Sequence, residues 1–253
     1  MGNSISANHY VLEAQLRRER VPSFDSYPFS LAAIRHLHTL ELHPAVTFLI
    51  GENGSGKSTL LEAIAVAWGF NAEGGTKNFR FNTRRSHSQL HECLRLVKSV
   101  KRARDGFFLR AESFFNVATE IEKLDDEPAF SPPIINSYGF RSLHEQSHGE
   151  SFFALMQHRF GGQGFYVLDE PEAALSPSRQ LAMILRMRDL VGQQSQFVIA
   201  THSPILMAYP DAWIYQIGPG GLKRVELEDT DHYVVARRIL NDPRGQMAKL
   251  LDV

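Results

Sequence analysis

Apolar residues in this chain come in short unbroken runs, separated by polar and glycine-rich connections. Val46-Thr47-Phe48-Leu49-Ile50, Phe165-Tyr166-Val167-Leu168 and Gln196-Phe197-Val198-Ile199-Ala200 are β-branched and aromatic, a pattern that predicts strands buried on both faces. Gly106–Glu112 predicts another strand. From Ile34 to Leu42 the pattern alternates loosely, as in a half-buried strand, and a turn near His43-Pro44 joins it to Val46. Trp213–Ile217 and Leu222–Leu227 flank Gly218-Pro219-Gly220-Gly221 and predict a hairpin. Helices are predicted over Thr59–Ala67, over Ser86–Lys101 with Leu90, Leu94 and Val97 on one side, and over Ser113–Glu122. Further helices are predicted from Phe152, from Ser176-Pro177 to Leu190, and as short pieces over His232–Leu251. Residues 1–30 are polar and predict a poorly ordered extension. Residues 31–253 read as one domain, with a helical insertion over about 82–160.

Composition changes this picture little. At 253 residues the chain has room for one large α/β domain or two small ones, and 43% hydrophobic and 22% charged residues suit a soluble globular protein. A net charge of −1 supplies no global field toward nucleic acid or anionic lipid. Cys93 is the single cysteine, so an internal disulfide is excluded and a reducing, cytoplasmic setting is expected. No apolar run approaches the roughly 20 residues of a membrane helix. The start lacks the apolar stretch of a signal peptide, although Met1–Ser6 fits the loose myristoylation pattern. Arg95, Lys98, Lys101, Arg102 and Arg104 form the densest basic cluster. It suits a solvated turn or a nucleic-acid contact.

The candidate chemistry begins directly after Ile50. Gly51-Glu52-Asn53-Gly54-Ser55-Gly56-Lys57-Ser58 is a G-x-x-x-x-G-K-[ST] phosphate loop between an apolar strand and a helix start at Thr59. Its glycines let backbone N–H groups close on phosphate oxygens, and the helix N-terminus adds partial positive charge. Lys57 is expected to reach the β- and γ-phosphates of a nucleoside triphosphate, and the Ser58 hydroxyl to ligate Mg²⁺.

Three later stretches fit the same chemistry. Leu168-Asp169-Glu170-Pro171 ends an apolar strand in two carboxylates. Asp169 is suited to hold Mg²⁺ from a strand beside the phosphate loop, and Glu170 to face the attacking water. His202, in Thr201-His202-Ser203-Pro204, follows another buried strand, at the sheet end where open α/β sheets bind ligands. Ser147-His148-Gly149-Glu150 opens a helix with a hydroxyl and free N–H groups, which makes either an anion-binding turn or an ordinary serine cap.

In this order the motifs resemble an ABC-type ATPase domain from about Ile34 to Pro204. Ser147, Gly149 and Glu150 resemble the signature motif, and Glu172-Ala173-Ala174-Leu175-Ser176 the D-loop, with Ser176 where transporters carry Asp. His202 matches the switch histidine. The wording Glu-Pro-Glu-x-x-Leu-Ser-Pro is similar to the soluble SMC/RecF/OLD-related branch, and in particular to small stand-alone bacterial ATPases. The resemblance implies a P-loop fold of mixed sheet plus helical subdomain, and hydrolysis of ATP with Mg²⁺. It also implies a homodimer in which each signature completes the other subunit's phosphate site. The implied output is a soluble switch acting on DNA or a partner protein. An ATP-binding subunit of a membrane transporter is the alternative, and a P-loop kinase the third reading. The family's Q-loop glutamine has no counterpart here; Glu112 stands nearest. Tyr27 and Phe29 are the aromatics nearest the expected adenine position.

Overall fold

The computed structural model describes residues 10–77, 88–110 and 148–251. The expected helix over Ser113–Glu122, Glu112 and Ser147 lie outside the described residues. So does most of the expected insertion.

Two sheets enclose one helix. In chain order the first elements are β1 (Val11–Leu16), α1 (Ala32–Arg35), β2 (Thr39–Glu41), β3 (Val46–Gly51) and α2 (Lys57–Trp68). Then come α3 (Leu90–Cys93), β4 (Leu94–Lys98), β5 (Asp105–Arg110) and α4 (His148–His158). The chain continues through β6 (Gly164–Asp169), α5 (Pro177–Gly192), β7 (Gln196–Ala200) and α6 (Pro204–Met207). It closes with β8 (Trp213–Gly218), β9 (Gly221–Val225), α7 (Asp231–Asn241) and α8 (Pro243–Leu251). The larger sheet has the order β5-β6-β7-β3-β8-β9, parallel except for the β8–β9 hairpin. The smaller sheet, β2-β1-β4, is antiparallel.

The apolar runs read from the sequence are the central strands β3, β6 and β7, each buried along its whole length. Their alternate side chains supply two cores. On one face, Leu49, Val167, Val198 and Ala200 meet Leu60, Leu61 and Ile64 of α2, and α2 carries the small sheet on its far side. Fully burying side chains of this kind stabilises by roughly 1.5–3 kcal/mol each. On the other face, Phe48, Ile50, Leu168 and Ile199 meet Phe152 and Met156 of α4 and Met183 and Met187 of α5. The Ser176 hydroxyl accepts from the Arg179 N–H and caps α5, with Pro177 in its first turn. Among the described residues no helix is long and apolar enough to cross a membrane.

Three expectations are corrected. Residues 11–16, expected in a poorly ordered extension, form β1, and Tyr10, Val11 and Ala14 are fully buried. What holds them is Gln196 on β7: its side chain accepts from the Tyr10 and Val11 N–H groups (2.9 and 3.0 Å) and donates to the Val11 and His43 carbonyls (2.8 and 3.0 Å). Within Ser86–Lys101, read as a helix, only Leu90–Cys93 is helical; Leu94–Lys98 pairs with β1 as β4. The apolar spacing there suits either period, and the unpaired edge of β1 decides in favour of a strand. Ala32–Arg35, at the start of the expected strand from Ile34, is a helical turn packed under the phosphate loop, and only Thr39–Glu41 is extended.

Candidate functional site

The phosphate loop leaves β3 at the C-terminal end of the parallel strands. Gly56 has φ +101°, and a Cβ there would come within 3.1 Å of Leu31 and Ala33. Only glycine allows this left-handed turn to close against α1. The buried Lys57 donates from Nζ to the Gly51 and Glu52 carbonyls (2.9 and 3.1 Å). Burial pushes its pKa down, and Glu170, Asp169, Glu172 and Glu52 oppose that shift. Four carboxylates thus surround one ammonium, a balance that polyphosphate oxygens would alter directly. Ser55 Oγ is buried and makes no hydrogen bond within the described residues.

Asp169 ends β6. It was expected on a strand beside the phosphate loop, but β7 lies between β6 and β3. The register aligns Arg110, Asp169, Ala200 and Leu49 in one row across the sheet. From there Asp169 Oδ1 accepts from Ser58 Oγ at 2.9 Å, because the first turn of α2 leans over the intervening strand. Hydroxyl and carboxylate oxygens so close would supply two of the roughly six oxygens around a Mg²⁺ ion, leaving the rest to phosphate oxygens and water. Among the described residues no cluster of three or more His, Cys, Asp or Glu could hold an ion alone. That donor set fits Mg²⁺ arriving with a nucleotide. Behind Asp169, Arg110 Nε lies 3.6 Å from Oδ2, and Arg110 Nη1 lies 2.8 Å from Glu62 Oε2.

Glu170 follows in the left-handed region, φ +48°, with its N–H donating to the Ala200 carbonyl (2.9 Å). A non-glycine residue held there costs of order 1–3 kcal/mol, a strain that clusters at functional sites. Its Oε1 lies 3.6 Å from His202 Nε2, too far for a hydrogen bond. The His202 N–H donates to Glu172 Oε1 at 2.5 Å, and His202 Nδ1 lies 3.1 Å from His232 Nε2. A cavity of about 760 Å³ opens here, lined by Asn53, Glu170, His202, Asp231, His232 and neighbouring residues.

Gly149 and Glu150 open α4 against the segment after β6. A Cβ at Gly149 would come within 2.6 Å of the Ala174 carbonyl oxygen and Arg179 Nη1, and Glu150 Oε1 lies 3.3 Å from Arg179 Nη2. The structure therefore joins Gly149 and Glu150 to Ala174 and Arg179, and joins Ser58, Asp169, Glu170 and His202 around the phosphate loop. Tyr27 is exposed, and Phe29 is buried in the core, out of reach of a ligand.

Sequence reasoning missed Arg110, Glu62 and His232. Arg110 had a readable signal, since Phe107-Phe108-Leu109-Arg110 ends an apolar strand in a charge, as Val167-Leu168-Asp169 does. His232 had none, because only the docking of α7 brings it to His202.

The fold is that of P-loop ATPase domains of the ABC type. Residues 23–127 match the model of a family described as AAA domain. Among solved structures, the ATP-binding cassette MJ1267 of an ABC transporter superposes with a TM-score of 0.51 at 16% identity, covering 93% of this chain and 96% of that one. Part of the ABC transporter complex cbiONQ, cbiO1 from Clostridium perfringens, gives 0.50 at 16% identity, covering 97% and 100%. The SMC head domain from Thermotoga maritima gives 0.46 at 17% identity, covering 86% and 98%. At such identities the likeness is one of fold. No curated protein matches the chain in sequence.

Proposed function

We propose that this protein hydrolyses ATP with Mg²⁺ and works as an ATP-driven dimerisation switch on DNA or a partner protein. The observation that carries the reading is the meeting of Lys57, Ser58, Asp169, Glu170 and His202 at one end of the sheet. In this reading the loop N–H groups and Lys57 hold the triphosphate. Ser58 and Asp169 hold Mg²⁺, which would supply charge neutralisation at the phosphate oxygens. Glu170 accepts a proton from the attacking water, and the His202 ring donates toward the γ-phosphate.

Gly149 and Glu150 sit on the segment after β6, and the family resemblance gives them, with Ser147, a task between two chains. Across a twofold dimer they would face the neighbour's γ-phosphate, where added donors stabilise developing charge. Loss of that phosphate then loosens the pair.

Phosphate release from ATP tests the catalytic half. The wild-type chain should require Mg²⁺, and Lys57→Ala should bind ATP at least about tenfold more weakly, since charged hydrogen bonds are worth about 1.5–3 kcal/mol each. The freed Gly51 and Glu52 carbonyls can take water, so the variant should stay folded. A folded variant with normal ATP affinity removes the phosphate-loop assignment.

A further inference from the structure

His232 belongs to no motif, yet its ring lies against that of His202. The centroids are 5.4 Å apart, and His202 Nδ1 and His232 Nε2 approach to 3.1 Å, a hydrogen-bond distance. One of these nitrogens donates and the other accepts. The second nitrogen of His202, Nε2, is buried without a hydrogen bond among the described residues and faces Glu170 Oε1 at 3.6 Å.

The two arrangements differ in what they put before Glu170. If His202 donated from Nδ1, its Nε2 lone pair would face a carboxylate oxygen, acceptor against acceptor. If His232 donates from Nε2, His202 keeps its proton on Nε2 and presents an N–H toward the carboxylate. The second arrangement is favoured, an assignment made from heavy-atom geometry.

We propose that His232 is a positioning residue, which by donating to His202 Nδ1 holds the switch imidazole in the tautomer whose N–H points out of Nε2. The proposal rests on the ATPase reading above, in which that N–H serves the γ-phosphate.

The mount of His232 suits the task. Thr230, fully buried, accepts from the Tyr233 N–H and donates to the Leu227 carbonyl, which caps α7. Gln216 of β8 lies 3.3 Å from Asp231 Oδ2 and ties the same turn to the sheet. His232 therefore enters from the first helical turn, where the helix dipole disfavours imidazolium. Lys57 and His202 also oppose a charge on it, while Asp231 and Glu52 favour one; Glu170 and Glu172 flank His202. A neutral His232 keeps the donor role fixed.

Two variants test this. His232→Phe keeps ring bulk without a donor, and His232→Gln keeps a side-chain N–H and cannot titrate. Nitrogen-15 NMR of the nucleotide-free protein should find His202 protonated on Nε2 in the wild type and in His232→Gln. In His232→Phe it should find a tautomer mixture. With ATP, His232→Phe should lose about tenfold or more in kcat with little change in KM, the size typical of groups that hold a functional imidazole. His232→Gln should recover most of it. An active wild type whose His202 tautomer and kcat are unmoved in His232→Phe, or a loss that glutamine does not rescue, overturns the role of His232 alone. A folded wild-type chain that hydrolyses no ATP overturns the ATPase reading and this role together.

Discussion

The two facing imidazoles make a pH dependence at the scale of single residues. Burial, then the neighbouring His202 and Lys57, push the pKa of His232 below its ordinary 6.5. Between that lowered value and 6.5 the unfolded chain binds a proton that the folded chain refuses. Stability contributed at neutral pH is therefore lost as pH falls through this window. The urea midpoint should drop with acidification more steeply in the wild type than in His232→Gln; equal slopes would contradict the burial of a neutral ring. At this scale the motif residues were legible because phosphate chemistry demands fixed residue types at fixed spacing. Lys57 and Ser58 were read from such spacing, and Asp169, Glu170 and His202 from their place after apolar strands whose ends the sheet brings to the loop. The partners that tune them were not legible. Arg110 meets Asp169 by strand register and Glu62 meets Arg110 by helix packing, and His232 arrives from a helix thirty positions beyond His202.

Among the elements, the central strands were plain because burial on both faces leaves an unbroken apolar run. β1 and β4 were not, since each is half-buried and mixes Glu13, Gln15, Arg95 and Lys98 with its apolar positions. They exist as strands through each other and through Gln196, which clamps β1 to β7 with all its side-chain bonds buried or nearly so. Gln196→Leu would fit the volume and remove four hydrogen bonds to the Tyr10, Val11 and His43 backbone. Each unsatisfied buried group costs about 1–3 kcal/mol, less where water can enter. The variant should therefore lose at least about 2 kcal/mol in urea unfolding. A change within about 0.5 kcal/mol, the scale of ordinary surface substitutions, would mean that β1 docks by apolar burial alone.

For the whole molecule, partner contact and pairing follow from its surface and its phosphate site. The basic cluster in and after β4 is divided by the fold: Lys98 Nζ lies over the Trp68 ring and Lys101 Nζ bonds Gln194 Oε1 (2.7 Å), while Arg95, Arg102 and Arg104 are exposed arginines. If DNA is the effector, replacing these three arginines by Ser should weaken binding and flatten its salt dependence, because phosphate contacts release counterions. DNA that neither binds nor stimulates hydrolysis at low salt points to a protein effector. Glu170→Gln decides whether the protein works as an ATP-driven switch. The amide keeps the shape of the carboxylate and cannot accept the water's proton, while Lys57, Ser58 and Asp169 remain to hold ATP and Mg²⁺. Sedimentation with ATP and Mg²⁺ should find this variant as a dimer that hydrolyses very slowly, and Ser147→Arg in the same background should return it to monomer. A Glu170→Gln protein that stays monomeric with ATP bound, or turns ATP over at the wild-type rate, contradicts the account.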